Sequence, residues 1–345
     1  MNIRRWFTIR RVLALSSLLA GLAVLAGYAW WRVTPTIGEP ARLAPQGEKL
    51  WSFGFVGDTQ LGSEIAESIF EQMGNAHVEF ALHLGDLVDD ADNQSQWDDL
   101  LRRAARHRIR IMPVVGNHDR LPDYNDRGEI RFRQYFPALP STFYHFRHRG
   151  INFLMLNSER SLAAGSEQAR FLKWQLAHHP GTAIVCLHRP VFTSGQRDWA
   201  QQWVRRFWLD PGLRGGDTVA VLAGHNHYYD RTRPLDGITY VVSGGGSSNL
   251  YPTDPPKPIT AASKSQRNHF GLVEVYANCL QVRVVDLQGQ DLDRFCLPLK
   301  PATQPLGSFY NPLATELPPL NTLDDYRPHR LEVFTATHGT LPRPW

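Results

Sequence analysis

The sequence predicts an α/β fold, two packed mixed β-sheets flanked by helices and preceded by one transmembrane helix. Three observations predict it. From Leu50 onward short apolar runs alternate with amphipathic stretches, as expected of strands covered by helices. About eleven strand-like runs fall between residues 50 and 300, more than one ordinary sheet holds. Ahead of them lies an uncharged run over residues 12–31.

That run, VLALSSLLAGLAVLAGYAWW, spans about 30 Å as a helix at 1.5 Å per residue, the thickness of a bilayer's hydrocarbon core. Arg4, Arg5, Arg10 and Arg11 precede it and Tyr28, Trp30 and Trp31 close it, a basic inner end and an aromatic interfacial belt. The positive-inside rule then puts residue 32 onward outside the cytoplasm, the periplasmic face of a bacterial-type inner membrane. The competing reading is a cleaved signal peptide with a small-x-small site at Gly27-Tyr28-Ala29. An uncleaved anchor over residues 1–33 fits better, because the apolar core exceeds the roughly 7 to 15 residues of a signal peptide.

Residues 34–49 read as a linker, with Pro35, Pro40 and Pro45. The body over 50–300 opens with strand 50–57, helix 63–73, strand 78–84, helix 96–107 and strand 109–115. Further strands are expected at 142–146, 151–157, 183–188, 219–223, 238–243, 271–276, 281–287 and 291–297, with helices at 167–178 and 197–209. In the last of these, Trp199, Trp203 and Phe207 repeat at helical spacing, a core-facing stripe. Residues 301–345 are Pro-rich with little apolar periodicity and read as an extended tail. Cys186 lies in an apolar run, and a hairpin would bring Cys279 near Cys296.

Charge gives no global electrostatic footprint for a polyanion and leaves room only for local basic patches. Lys and Arg number 37 against 33 Asp and Glu, and the four arginines ahead of the uncharged run account for the whole excess. The remainder is neutral and shows no nucleic-acid signature.

Five segments concentrate metal-ligand residue types, each where an apolar run ends: Gly57-Asp58-Thr59-Gln60, Gly85-Asp86-Leu87-Val88-Asp89, Gly116-Asn117-His118-Asp119, His188-Arg189-Pro190 and Gly224-His225-Asn226-His227. In α/β sheets the loops past the strands' carboxyl ends converge on one crevice, so these polar groups meet. The glycines are expected to turn the backbone away from each strand. Ser243-Gly244-Gly245-Gly246-Ser247 is read as a turn passing close to that crevice. His83 is expected as a hydrogen-bonded core histidine, and His145, His148, His178 and His179 as solvated.

The order Asp-x-Gln, Gly-Asp, Gly-Asn-His-Asp, His, Gly-His-x-His resembles the calcineurin-like metallophosphoesterase superfamily over roughly residues 50 to 300. The resemblance implies an αββα sandwich and two metal ions, Mn, Fe or Zn, bridged by one carboxylate and a water or hydroxide. It implies Asp58, Gln60, Asp86 and His227 on the first metal, and Asp86, Asn117, His188 and His225 on the second. His118 matches the family's acid for the leaving oxygen, and Asp89 a carboxylate that orients it. Gln60 stands where most members have a second His, which weakens the first site or makes it favour harder metals. The Gly85-Asp86 segment lacks the Arg-Gly of the protein serine/threonine phosphatases. Asp89 also replaces the Tyr of purple acid phosphatases, and both branches are disfavoured on these grounds.

The implied activity is hydrolysis of a phosphorylated substrate of unidentified structure. Within enzymes the alternative is a phosphodiesterase acting on nucleotides, lipid headgroups or nucleic-acid ends. Outside them it is a metal-containing binding module weakened by Gln60.

Overall fold

The computed structural model describes residues 34–121, 129–193, 195, 205–206, 209–214, 216–301, the backbone of 314–316, and Gly21, Leu22, Val24 and Gly27. Those four positions are helical and fall inside the expected span. The rest of the span lies outside the described residues, among which no helix is long and apolar enough to cross a membrane.

In chain order the elements are β1 (Trp51–Val56), α1 (Ser63–Asn75), β2 (Ala81–His83), α2 (Gln94–Arg106), β3 (Ile111–Pro113), α3 (Ile130–Tyr135), β4 (Tyr144–His148), β5 (Ile151–Met155), α4 (Glu167–His178), β6 (Ala183–Cys186) and α5 (Asp210–Leu213). They continue with β7 (Thr218–Ala223), β8 (Tyr229–Thr232), β9 (Thr239–Ser243), β10 (Thr260–Lys264), β11 (His269–Val275), β12 (Cys279–Asp286), β13 (Asp291–Pro298) and β14 (Ala314–Glu316). Six strands form one mixed sheet in the order β13-β12-β11-β1-β2-β3, and eight form the other, β10-β8-β9-β7-β6-β5-β4-β14. Both contain parallel cores, β1-β2-β3 and β5-β6-β7-β9. All of these strands carry their carboxyl ends to one rim of the molecule.

The faces follow from the sequence pattern. Helix α1 buries Ala66, Ile69, Phe70 and Met73, and α2 buries Trp97, Leu100, Leu101 and Ala104, both at the i, i+3, i+4, i+7 spacing of an apolar helical stripe. Both stripes cover the outer face of the six-stranded sheet. Phe171 and Leu172 of α4 and Leu213 of α5 cover the eight-stranded sheet on its other side. Between the sheets an aromatic cluster interlocks: Phe53 stacks on Phe80 at 5.5 Å, Phe146 on Phe153 at 4.7 Å, and Phe80 meets Phe153 edge-on. The Asn93 side chain caps α2 through the Ser95 N–H, and Ser166 caps α4 through that of Ala169.

Several expectations need correction. Strands β8 and β10 and helix α3 are absent from the sequence reading. β8 contains Asp230 and Arg231, and it is buried because Arg231 pairs with Asp293 (2.6 and 3.1 Å) and Asp230 accepts from Thr193 Oγ1 (2.8 Å). Helix α3 is short, held by Tyr135 stacking on Trp97 at 5.1 Å. His145 is buried rather than solvated, hydrogen-bonded to Asn152 (3.1 Å), and His148 pairs with Glu79 (2.6 Å). The β12–β13 hairpin, by contrast, forms as expected and brings Cys279 near Cys296: its register sets Cys279 opposite Pro298 and Cys296 opposite Gln281, so the two thiols are diagonal neighbours and both free. Within the tail, the backbone of β14 pairs in parallel with β4. The stripe of Trp199, Trp203 and Phe207 lies outside the described residues.

Candidate metal centre

All five motifs reach the common rim. Asp58 follows β1, Asp86 follows β2, Asn117 follows β3, His188 follows β6 and His225 follows β7. Asp58, Asp86 and His225 each take a positive φ (65, 53 and 69°), rare for non-glycine residues and characteristic of functional sites. The preceding glycines serve a different end from the one expected. Gly85 alone among them is left-handed, at φ 86°, whereas Gly116 and Gly224 are needed for close approach. A Cβ on Gly116 would lie 2.1 Å from the Asp86 nitrogen, and one on Gly224 2.6 Å from Asp58 Oδ2. The Ser243–Ser247 turn passes close as expected, a Cβ on Gly244 falling 2.8 Å from Asp58 Oδ2.

Around Asp86 the donors fall into two sets. His188 Nε2 is 3.3 Å from Asp86 Oδ2, 3.1 Å from Asn117 Oδ1 and 3.2 Å from His225 Nδ1. His227 Nε2 is 3.3 Å from Asp58 Oδ1 and 3.4 Å from the Gln60 amide, which is itself 3.5 Å from Asp86 Oδ2. Asp86 Oδ2 belongs to both. Two donors about 2.1 Å from one metal ion, at roughly 90 to 110° to each other, lie about 3.0 to 3.4 Å apart, which these spacings match. His188 Nδ1 donates to Leu84 O (2.9 Å) and His227 Nδ1 to Asn249 O (2.6 Å), which leaves both Nε2 lone pairs facing inward. The Gln60 amide fits once its O and N are exchanged: Nε2 then donates to the carbonyls of Asp58 (3.1 Å) and Asp86 (3.2 Å), and the oxygen turns to the centre. The convergence of lone pairs calls for cations, so the donor set fits two metal ions.

The carboxylates draw positive charge into the site, and a proton on Nε2 of either imidazole is the simplest stand-in for a cation there. Burial pushes His188 down, but the Asp86 carboxylate outweighs it and lifts the imidazole to about 10. Burial opposes ionisation of Asp86, yet His188 and the His118 amide hold its carboxyl below the usual carboxylate range. His227 is raised by Asp58 against its own burial. His83 is buried and hydrogen-bonded to Thr59 Oγ1 (3.0 Å), and burial lowers it to about 3, a neutral core histidine as expected.

His118 lies at the mouth, 40% exposed, outside both donor sets. Its Nδ1 meets the Asp89 carbonyl at 2.9 Å and the Asp89 carboxylate at 3.4 Å, so Asp89 orients it through backbone more closely than through side chain. Three residues carry roles that sequence reading missed. Buried Asp119 accepts from the N–H groups of Leu87 (2.7 Å), Val88 (3.2 Å) and Gly116 (2.7 Å), clamping two ligand loops together. Arg189 donates to Asn117 Oδ1 (3.1 Å) and Glu159 Oε1 (2.7 Å) and stands 3.0 Å from His225 Nε2. Tyr251 stacks on His227 at 4.3 Å. Asp119 and Arg189 stand inside the quoted motifs, and that adjacency was the available signal.

Comparison with known proteins agrees with this geometry. The family model described as calcineurin-like phosphoesterase matches residues 52–229. An uncharacterised protein of Mycobacterium tuberculosis is 28% identical over 251 residues, 59% of this chain and 47% of that protein. Purple acid phosphatase 5 of Arabidopsis thaliana is 27% identical over 221 residues, 61% of this chain and 52% of its own. The chain thus spans about half the length of these curated relatives. A purple acid phosphatase from yellow lupin seeds shares the fold, with TM-score 0.64 and 18% identity over 74% of this chain and 55% of that one. Purple acid phosphatases thus stand among the chain's relatives.

Proposed function

This chain belongs to the calcineurin-like phosphoesterase family, and on that premise we propose that it is a dinuclear metal-dependent phosphohydrolase that cleaves phosphate esters. The observation that carries the reading is the pair of donor sets meeting at Asp86 Oδ2. Two bound ions of manganese, iron or zinc would neutralise the phosphoryl oxygens and lower the pKa of a water held between them.

The protein's own groups supply the rest. Asp58, Gln60, Asp86 and His227 would hold one ion, and Asp86, Asn117, His188 and His225 the other. Their supporting hydrogen bonds fix them before substrate arrives, so little reorganisation accompanies reaction. Asp89 engages His118 Nδ1, which leaves Nε2 as the nitrogen that hands a proton to the leaving oxygen. The Arg189 guanidinium, beside Asn117 and His225, is suited to bind phosphoryl oxygens. Gln60 offers a neutral oxygen where most members have an imidazole, so the first ion is held more weakly. The uncharged run over residues 12–31 anchors the chain in a membrane with the catalytic domain on its extracytoplasmic face.

The test strips the full chain with a chelator, restores Mn²⁺, Zn²⁺, Mg²⁺ or Fe in turn, and screens phosphomonoesters and diesters. Hydrolysis restored by metal is expected. Metal uptake without turnover of any ester would instead favour a binding module.

A further inference from the structure

Residues 34–46 bind the domain at two turns. Thr36 N donates to Asp236 Oδ1 (3.0 Å), Asp236 N donates to Thr36 O (2.9 Å), and Gly38 N donates to Pro234 O (2.7 Å), all at the β8–β9 turn. Farther along, Gln46 N donates to Asn278 Oδ1 (3.0 Å) and Asn278 Nδ2 to Ala44 O (2.9 Å), at the β11–β12 turn. Both turns lie at the end of the sheets opposite the metal centre. β8 leaves the centre just after His227 and β9 returns to it at Ser243. β11 ends at Val275, paired with Trp51 at the start of the strand that climbs to Asp58. At about 3.3 Å per residue, turn and metal centre are roughly 20 Å apart.

Only Arg32, Val33, Thr34 and Pro35 separate Trp31, the last residue of the uncharged run, from Thr36. That is a reach of at most about 17 Å. The turns are therefore held near the point where the chain meets the run. The same end of the domain is cationic. Among the described residues it exposes Lys49 before β1, Arg108 before β3, Arg147 near the end of β4, Arg149 between β4 and β5, and Lys300 after β13. Glu39 and Glu48 are exposed there too, and Glu79 pairs with Arg149. The rim beside the metal centre exposes charges of both signs, Asp90 and Asp92 before α2, Lys264 at the end of β10 and Arg267 between β10 and β11.

We infer that this cationic end lies against the anionic lipid surface of the membrane that holds the N-terminal run, so that the metal cleft opens away from the bilayer onto water-soluble phosphoesters. The inference rests on the anchor and hydrolase reading given above. Lys and Arg near an anionic surface are attracted to it, and the effect fades within a Debye length. A domain tethered at its cationic end is therefore turned with that end toward the lipid. Headgroups of its own bilayer then lie on the wrong side of the domain to enter the cleft.

The full chain, reconstituted into phosphatidylcholine and phosphatidylglycerol vesicles carrying a headgroup spin-labelled lipid and phosphatidate, tests this. Glu39→Cys and Leu61→Cys variants each carry a fluorophore, with the unsubstituted chain labelled as background; Leu61 is exposed beside Gln60 at the metal rim. The chain should stay with the vesicles through an alkaline wash, and the probe at position 39 should be quenched several-fold more than that at 61. Bulk nitrophenyl phosphate should be hydrolysed while phosphatidate persists. Equal or stronger quenching at position 61, or consumption of phosphatidate by washed vesicles, overturns the orientation with the anchor intact. Release by alkali overturns the anchor and the orientation with it. Loss of bulk hydrolysis with the quenching contrast preserved strikes only the hydrolase reading and upholds the orientation.

Discussion

Asp86 stands at φ 53° with its carboxylate between two imidazole-bearing donor sets, and its Oδ1 takes the His118 N–H at 2.9 Å. The residue that joins the two sets is thereby joined to the backbone of the residue proposed to deliver the proton. His118 itself binds neither set. Replacing it with Asn should therefore leave metal content nearly unchanged while slowing hydrolysis of alkyl phosphates by about 10² to 10⁴. The loss should shrink for nitrophenyl phosphate, whose leaving group needs little protonation. Kinetics on both esters, with metal measured in each preparation, check this; equal losses together with missing metal would make His118 part of the metal site. The ligands were legible because Asp, Asn and His each follow an apolar run. Asp119 was not, because its donors at Leu87 and Val88 come from another segment. His145 and His148 misled for a similar reason: local polarity suggested solvent, but partners at Asn152 and Glu79 bury them wholly or in part.

At the scale of elements, the site depends on how tightly β2 and β3 deliver their loops. A methyl group on Gly116 would fall 2.1 Å from the Asp86 nitrogen and 2.2 Å from its Oδ1. Gly116→Ala should therefore displace the Asp86 carboxylate, lower metal content and cost about 1 to 3 kcal/mol of stability. Metal analysis with a melting curve checks it, and a variant that keeps metal and melts like the parent would contradict the close approach. The parallel core strands were legible because continuous apolar runs mark strands buried on both faces. β8 and β10 were not, since Arg231 and Asp230 gain burial only through Asp293 and Thr193, contacts that no local pattern records.

At the scale of the whole molecule, burial keeps several imidazoles neutral. It lowers His145 and His269 each to about 4 and His83 to about 3. Below about pH 6.5 the unfolded chain binds protons that the fold refuses, so stability should fall as pH drops from 6.5 toward 4, by on the order of 3 kcal/mol per histidine at most. Urea midpoints of the metal-free chain at pH 7 and pH 4.5 check this, and a midpoint independent of pH would contradict it. The two-sheet architecture was legible from the number of strand-like runs, and the convergence of the motifs from their place at strand ends. Function rests on that convergence at Asp86. The most direct measurement is the metal content and phosphate-ester hydrolysis of the full chain beside its Asp86→Asn variant, each stripped and reloaded with Mn²⁺ or Zn²⁺. The parent should bind two ions per chain with metal-dependent turnover, and the variant fewer than two with turnover abolished. A variant that binds two ions and hydrolyses esters at the parent's rate would contradict this.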